Sequence, residues 1–307
     1  MAHSIFAGAT VMDWGVCTTV KAPLAQILAF VAWHKHLGAS RIWVHLDDAD
    51  DVSAGILKQI EGVTPVLCDK AYWAVLGRRP KRQEARQAYN VQRVYMAAEV
   101  PVLAHLDVDE FLWPARPVSE ILNDWTDGTP FLRARPAEAL HDPTLPDDIF
   151  TARQFKYPFP TPMPLEDRMD VLGDYTALLM KNMLSHKAGK SLFRTGLDGL
   201  MPKLHAASWG DDPAPIKLAL HPELTVLHFH AQDKAAWLAA LPHRTTDGAY
   251  RFNETLAAFA SDATPDEIAD FYNRTQSATP ELVAKLKAHD LLLEADLNLK
   301  DKVAALF

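Results

Sequence analysis

The chain has 307 residues, of which 49% are hydrophobic and 23% are charged, and these proportions exclude an intrinsically disordered or fibrous protein. Lysine and arginine number 31 against 39 aspartate and glutamate residues, which gives a formal net charge of −8. An acidic chain of this kind does not favour nucleic acid as a partner by bulk electrostatics.

The cysteines and the apolar segments indicate the compartment. Cys17 and Cys68 lie far apart and match no metal-ligand spacing, so we expect two free thiols. The longest apolar segment, Pro23 to Trp33, is too short to span a bilayer. The sequence therefore predicts a cytoplasmic protein. The apolar residues Leu291 to Leu293 and Val303 to Phe307 leave open a peripheral contact with the inner face of the membrane, with helix packing as the alternative.

The first third of the chain alternates between strand and helix patterns. Val16 to Val20 and Arg41 to Leu46 read as strands, and between them a helix is predicted from Pro23 to Leu37. A further helix at Val52 to Ile60 leads to a strand at Val63 to Leu67. This alternation is typical of a mostly parallel sheet, in which ligands bind at the C-terminal ends of the strands.

The segment between Arg78 and Arg93 is strongly basic and precedes an apolar strand. Its arginines and lysines are offset by only one acid, Glu84. Two interpretations stay open, a solvated helix face and a set of arginines that bind phosphates. Because the predicted helix runs to about Ala98 and leads into that strand, the basic segment is expected near the residues that follow it.

Three acidic residues, Asp107, Asp109 and Glu110, stand where the strand begun by Val102 should end. Alternate residues of a strand share a face, so the two aspartates are predicted to point the same way and to repel unless a cation lies between them. Oxygen ligands favour Mg²⁺ or Mn²⁺, which usually also hold substrate phosphates. The alternative is that these acids are turn or helix-cap residues.

The second half of the chain offers fewer signals. Prolines cluster from Pro136 to Pro164, and the segment Tyr157 to Pro164 is predicted to be a loop or an extended lid. The segment Ser185 to Ser191 is basic and contains glycine, but the phosphate-loop spacing is absent, so we reject that motif. His228 and His230 share one face at the end of an apolar strand, either to complete a metal site or as hydrogen-bonded structural residues.

In this order the segments resemble bacterial family 2-like glycosyltransferases, which have the GT-A fold. The resemblance covers most of residues 16 to 245 and centres on the Asp-x-Asp box within Asp107 to Leu112. It implies an α/β fold with a GT-A-like mixed, mostly parallel central sheet flanked by helices. It also implies a nucleotide-sugar-binding catalytic domain at residues 1–245 and a helical C-terminal extension at residues 246–307.

The resemblance also implies roles for individual residues. Asp107 and Asp109 take the metal and sugar-ribose role, with Mn²⁺ or Mg²⁺ as the cofactor, and His228 or His230 adds a metal ligand. Asp47 or Asp48 contacts the nucleoside. The residues expected around the donor are Lys21, Asp47, Asp48, Arg82, Gln87, Asn90 and Lys190.

An inverting transfer also needs a general base near the acceptor hydroxyl, which is normally a carboxylate. The candidates are Asp198, which lies between two glycines, and Glu166 or Asp167, which follow the proline-rich loop. His205 is a further candidate. The sequence does not choose among these four residues.

The leading hypothesis is a metal-dependent glycosyltransferase. It would transfer a sugar from a nucleotide-sugar, which the resemblance implies is a UDP-sugar, to a polysaccharide or lipid-linked glycan, with inversion. A second hypothesis is a metal-dependent nucleotidyltransferase or phosphohydrolase, because paired aspartates serve phosphoryl transfer equally well. A third is a catalytically weak sugar-binding or partner-binding relative. The sequence sets no oligomeric state.

Overall fold

The structure is a computed structural model that describes residues 12–307, with the exception of residues 49, 98, 147, 149, 150, 211, 213 and 247. Residues 1–11, which the predicted catalytic domain includes, therefore lie outside the described part of the chain. No helix among the described residues has the length and the apolar character that crossing a membrane requires.

The described chain alternates strands and helices through its first half and is mainly helical after residue 233. The strands are β1 (Trp14–Val20), β2 (Arg41–Leu46), β3 (Val63–Leu67), β4 (Val102–His105), β5 (Glu110–Pro114), β6 (Phe131–Ala139), β7 (Gln154–Lys156), β8 (Lys190–Arg194), β9 (Leu200–Pro202), β10 (Ala207–Trp209), β11 (His221–His228) and β12 (Leu292–Glu294). The α-helices are α1 (Leu24–His36), α2 (Ser53–Leu57), α3 (Lys70–Ala74), α4 (Gln83–Ala97), α5 (Val118–Asp124), α6 (Leu165–Leu172), α7 (Lys234–Thr246), α8 (Glu254–Asp262), α9 (Pro265–Thr275), α10 (Pro280–Ala288) and α11 (Leu299–Ala304).

The central sheet has the order β12-β7-β6-β8-β4-β1-β2-β3, and β11 joins it by pairing with β6 and β5. Strands β3, β2, β1 and β4 are mutually parallel, whereas β8 runs antiparallel to both β4 and β6. The predicted class, an α/β fold with a mixed central sheet flanked by helices and a helical C-terminal region, is confirmed. The predicted helix before Gly38 and the strands Arg41–Leu46 and Val63–Leu67 are confirmed as well.

Strand β1 is buried along its whole length, as expected for a central parallel strand that is covered on both faces. Helix α1 packs on the sheet through Ile27, Phe30 and Val31, whose side chains are fully buried. The indole Nε1 of Trp33 donates a hydrogen bond to the carbonyl oxygen of Leu112 at 2.7 Å. This bond joins α1 to β5, the strand that begins at Glu110. We call the residues Asp107, Asp109 and Glu110 the acidic box.

The C-terminal region, residues 234–307, packs in a second hydrophobic core that it shares with residues between 140 and 184, and it is also attached to the central sheet. Trp237, Phe271 and Tyr272 are buried in that core. Strand β12 pairs with β7 at the sheet edge, and α11 contacts α1. The predicted boundary between residues 245 and 246 falls one residue before the end of α7 and stays a prediction.

Buried neutral histidines make the fold sensitive to acid. Burial lowers the pKa of His34, His45 and His105 from 6.5 to about 4. In the unfolded chain these histidines take up protons below about pH 6.5, whereas the folded chain excludes the protons until about pH 4. Their contribution to stability is therefore complete above pH 6.5 and is lost as the pH falls toward 4.

We predict that the free energy of unfolding, measured by urea titration, decreases steadily between pH 6.5 and 4.5. The substitution His34→Gln should make that decrease less steep, by an amount that corresponds to the uptake of up to one proton on unfolding, because it removes one titrating group. The exposed His243 provides the matched control, since His243→Gln should leave the slope unchanged. An equal slope for His34→Gln and the wild type would contradict this prediction.

Candidate active site

Charged residues from five strand ends meet at one edge of the central sheet. Lys21, Asp47 and Asp107 follow the C-terminal ends of the parallel strands β1, β2 and β4 within two residues. Lys190 reaches the same edge because it begins β8, which runs antiparallel to β4. His228 ends β11 opposite Glu110. This is the edge at which α/β folds bind their ligands.

The acidic box forms a turn between β4 and β5. The backbone N–H of Glu110 donates to the carbonyl oxygen of Asp107 at 2.9 Å, and Glu110 begins β5. The prediction that Asp107 and Asp109 share a strand face is therefore wrong, because the turn directs the two carboxylates to different partners. The alternative that these acids occupy a turn describes the backbone correctly.

Lys190 is the partner of Asp107. Its buried Nζ lies 2.7 Å from Oδ2 of Asp107 and 3.0 Å from Oε2 of Glu110. Gln87 donates to the other oxygen of Asp107, Oδ1, at 2.6 Å. Burial opposes ionisation of both acids, but the charge of Lys190 outweighs it, so the pKa of Asp107 is lowered and that of Glu110 lies well below its usual range.

Four imidazole rings stand in a row beside these carboxylates, and we call them the histidine row. Ring centroids are 4.1 Å apart for His205 and His186, 5.4 Å for His186 and His228, and 5.2 Å for His228 and His230. Nε2 of His186 lies 3.2 Å from Oε1 of Glu110. Nε2 of His228 lies 3.4 Å from Oδ2 of Asp109.

The members of the histidine row differ in charge. Burial opposes protonation of His228, but the adjacent Asp109 carboxylate raises its pKa to about 9. Burial and the charge of Lys190 lower the pKa of His205 to about 3. Burial and the nearby Arg244 hold the pKa of His230 well below its usual range. At neutral pH His228 therefore carries a proton, and His205 and His230 are neutral.

A cation from the C-terminal region closes the end of the row. The guanidinium of Arg244 donates to Nε2 of His230 at 3.0 Å and to the hydroxyl oxygen of Tyr250 at 3.2 Å. Trp237 donates to the same hydroxyl at 2.9 Å. Helix α7 thus supplies a positive charge to the edge of the sheet.

Three cavities adjoin one another along this edge. The first has a volume of about 580 Å³ and includes Lys21, Asp48 and Trp73 in its lining. The second, of about 470 Å³, shares Lys21 with the first and includes Asp107, Asp109 and part of the histidine row in its lining. The third, of about 400 Å³, shares Asp109 and Arg244 with the second. Because neighbouring cavities share these lining residues, we call the three cavities together the groove.

Asp47 lies in the lining of the first cavity, but arginines hold its carboxylate. Arg86 binds both oxygens, with Nε at 2.9 and 3.0 Å and Nη2 at 2.7 Å, and Arg79 approaches to 2.9 Å. Arg86 is therefore neither solvated nor free for phosphate, whereas Arg79 is exposed and lies in the lining of the first cavity. Asp48 is more exposed and pairs with Lys21 at 3.3 Å, so it is the better placed of the two predicted nucleoside contacts.

Other predicted donor residues divide between the groove and the surrounding structure. Gln87 lies in the lining of the second cavity. Asn90 is buried, donates to Thr19 at 2.9 Å and accepts from the Tyr72 hydroxyl at 2.6 Å, so its role is structural. The exposed Arg82 pairs with Glu84 at 3.5 Å and lines none of the three cavities.

Three of the four predicted bases lie outside the groove. Asp198 follows β8, whose last residue, Arg194, pairs with the first residue of β4, so Asp198 lies toward the opposite sheet edge. Glu166 and Asp167 occupy the first turn of α6, which packs against α10, and they line none of the three cavities. Because these three residues lie outside the groove, they are poorly placed to act as the general base. His205 lies in the histidine row, but a pKa of about 3 makes it a weak base.

His186 and Arg244 are the site residues that the sequence did not reveal as such. His186 belongs to the segment that sequence reasoning considered only as a phosphate loop. The backbone N–H groups of Leu184 and Ser185 donate to the buried Glu138 at 3.0 and 2.7 Å, which fixes the segment. No short motif encodes this contact, because it joins residues more than forty positions apart.

No protein-family model matches this sequence, and no curated protein does. Among solved structures, residues 1–349 of S. aureus TarS align at 11% identity and a TM-score of 0.29, with 96% of this chain and 83% of that chain covered. CMP:2-keto-3-deoxy-manno-octonic acid synthetase complexed with CTP aligns at 11% identity and 0.29, with 95% and 98% covered. HddC from Yersinia pseudotuberculosis aligns at 9% and 0.29, with 60% and 74% covered.

We predict that Lys190→Met destabilises the protein strongly, because it leaves Asp107 and Glu110 buried without a counter-charge. Removal of one partner from a buried ion pair costs about 3–5 kcal/mol. Lys285 provides the control: it pairs with the exposed Glu281 on α10, and Lys285→Met should cost about 0.5 kcal/mol or less. Urea unfolding of the two variants measures the difference, and equal costs would contradict the prediction.

Proposed function

We propose that this chain is a metal-dependent glycosyltransferase that transfers a sugar from a UDP-sugar, with inversion, to a polysaccharide or lipid-linked glycan. The observation that carries this proposal is the groove at the C-terminal ends of the parallel strands. It joins a cavity of nucleoside size to a cluster of carboxylates and histidines, and then to a third, polar cavity.

The first cavity suits a nucleoside. Its volume of about 580 Å³ lies within the range of small-molecule sites, about 300–1,000 Å³. Asp48 offers an exposed carboxylate oxygen to ribose hydroxyls, and Lys21 stands where this cavity meets the second. A diphosphate attached to the nucleoside would therefore pass Lys21 and approach Arg244. Both are cations suited to phosphate oxygens.

The residues of the second cavity fit a divalent cation. Lys190 and Gln87 occupy the oxygens of Asp107, but Asp109 and His228 lie together at the groove. A site that includes histidine nitrogen favours Mn²⁺ over Mg²⁺. Stabilisation of the leaving diphosphate is the chemistry that such an ion supplies.

The third cavity suits the acceptor. Its lining includes the amides of Gln26 and Gln232 and the carboxylates of Asp109 and Asp233, which are side chains that bind hydroxyl groups. Asp109 lies in the lining of both this cavity and the second, so an acceptor hydroxyl here would face the donor. Carboxylates at this position are suited to accept the proton of that hydroxyl in an inverting transfer.

The proposal predicts that UDP with Mn²⁺ raises the unfolding midpoint of the wild-type protein. A ligand at 100 times its Kd adds about 2.7 kcal/mol of stability. Asp109→Asn should abolish the shift, because Asp109 adjoins His228 and the groove. The control is Asp198→Asn, at the exposed loop after β8, which should keep the full shift.

The same purified proteins distinguish between the three functional hypotheses. If no nucleoside diphosphate shifts the midpoint with or without Mn²⁺, the chain is the catalytically weak binding relative and the proposal fails. If UDP-sugars are bound, release of UDP shows that the bond between the sugar and the diphosphate breaks. Release of UMP or inorganic phosphate instead would favour the nucleotidyltransferase or phosphohydrolase hypothesis.

A further inference from the structure

We propose that the divalent cation is held by Glu110, His186 and His228, a set of two histidines and one carboxylate, and not by the paired aspartates of the Asp-x-Asp box. The inference rests on the proposed function for the role of the ion, and it assigns the ion to specific ligands. Asp109 then lies beside His228 on the side of the ion that faces the groove.

The three side chains converge from separate elements of the fold. Glu110 begins β5, His228 ends β11, and His186 lies in the segment that precedes β8. Each offers one ligand atom, and the three atoms lie within 4.8 Å of one another. Two ligands of an ion at about 2.1 Å in tetrahedral geometry are separated by about 3.4 Å. The 3.2 Å between His186 and Glu110 is close to that edge length.

Unpartnered nitrogen atoms provide a second observation. Nδ1 of His186 and Nδ1 of His228 are both buried, and neither has a hydrogen-bond partner among the described residues. The residue His228 is only 6% exposed, so water reaches it poorly. A buried imidazole nitrogen without a partner is costly, and coordination removes that cost only for the nitrogen that binds the ion. Nδ1 of His228 is available for this because its Nε2 faces Asp109, whereas His186 faces Glu110 with Nε2.

The aspartates are less suitable ligands. Both oxygens of Asp107 are occupied, by Gln87 at 2.6 Å and by Lys190 at 2.7 Å. Lys190 also lies 3.0 Å from Oε2 of Glu110, but the other oxygen of Glu110, Oε1, faces His186 at 3.2 Å and is left for the ion. His230, the other predicted histidine ligand, already uses Nε2 to contact Tyr250 at 2.8 Å and Arg244 at 3.0 Å.

The local charge also fits a divalent ion. Asp107, Asp109 and Glu110 bring three negative charges to the turn, and Lys190 neutralises one of them. Binding of the ion would displace the proton that His228 carries at neutral pH, and two negative charges are then left for an ion of charge 2+. Ligand chemistry points in the same direction, because two imidazoles and a carboxylate suit Mn²⁺, Fe²⁺ or Zn²⁺ better than Mg²⁺.

The position of His186 is built into the fold. The carboxylate of Glu138 accepts hydrogen bonds from the backbone N–H groups of Leu184 and Ser185, and it is itself buried beside Lys156 at 3.6 Å. The chain just after His186 is fixed by Gly189, which has φ +70°. A Cβ there would lie 2.0 Å from the carbonyl oxygen of Ala134. These contacts hold His186 in place before any ion binds.

The test is titration calorimetry of the full chain, freed of metal with EDTA, with MnCl₂ and separately with ZnCl₂. We expect one site in the wild type. Even residues that only orient ligands alter metal affinity by about 10–100-fold, so His186→Gln and Glu110→Gln should weaken binding at least tenfold. Asp107→Asn should weaken binding less than either of these substitutions, and His230→Gln should stay within threefold of the wild type. Circular dichroism melting identifies any variant that fails to fold.

A spectroscopic measurement on the wild type does not depend on the folding of variants. Pulsed electron paramagnetic resonance of bound Mn²⁺ should show coupling to two imidazole nitrogens. Coupling to fewer than two, or wild-type affinity in His186→Gln, would overturn the assignment. Strong weakening by Asp107→Asn or His230→Gln, with His186→Gln unaffected, would assign the ion to the set that the sequence predicted.

The failure of this inference can be told apart from the failure of the proposed function. If Mn²⁺ binds through two histidines but no nucleoside diphosphate binds, the ligand assignment stands and the glycosyltransferase proposal fails. If UDP binding requires Mn²⁺ and Asp109 but His186→Gln keeps wild-type Mn²⁺ affinity, the function stands and the ligand assignment is wrong.

Discussion

A buried lysine, Lys190, determines how the acidic turn between β4 and β5 is used. Its ammonium binds Asp107 and Glu110 together and lowers the pKa of both carboxyls despite their burial. Without it, two acids would lie in a low-dielectric interior with no compensating charge. The lysine leaves Asp109 facing the groove and leaves one oxygen of Glu110 turned toward His186. The division of roles within the acidic box follows from this one contact.

Much of the fold could be predicted because it follows from local patterns. The strands Arg41–Leu46 and Val63–Leu67 have the predicted bounds, and the helix before Gly38 differs by one residue at each end. Hydrophobic periodicity and the positions of proline and glycine indicate these helix and strand bounds. The location of ligand-binding residues at the C-terminal strand ends follows from the parallel order of the same elements.

The site was predicted less completely because its contacts join distant parts of the chain. Asp109 and His228 do meet, but Asp47 is held by Arg86 and Asn90 is part of a buried network. His186 reaches the cluster only because Glu138 fixes its backbone neighbours. The spacing of residues along the sequence does not reveal such contacts between distant residues. Three of the four predicted bases lie outside the groove for a similar reason. The position of Asp198, for example, depends on the direction of β8, which the sequence does not give.

The C-terminal region contributes chemistry as well as packing. Arg244 and Trp237 lie on α7, and together with Tyr250 they surround His230 at the boundary of the second and third cavities. The groove is therefore made by the sheet edge and by this region jointly. A division at residue 245 would separate Arg244 from Tyr250, two residues that share a hydrogen bond of 3.2 Å.

The central claim is that this groove holds a nucleoside diphosphate and a divalent ion side by side. Anomalous diffraction at the manganese edge, from crystals soaked with MnCl₂ and UDP, tests it most directly. The account predicts one strong peak in contact with His186 and His228, with a diphosphate oxygen beside it and the uridine in the cavity lined by Lys21 and Asp48. A manganese peak elsewhere, or UDP bound outside the groove, would contradict the account.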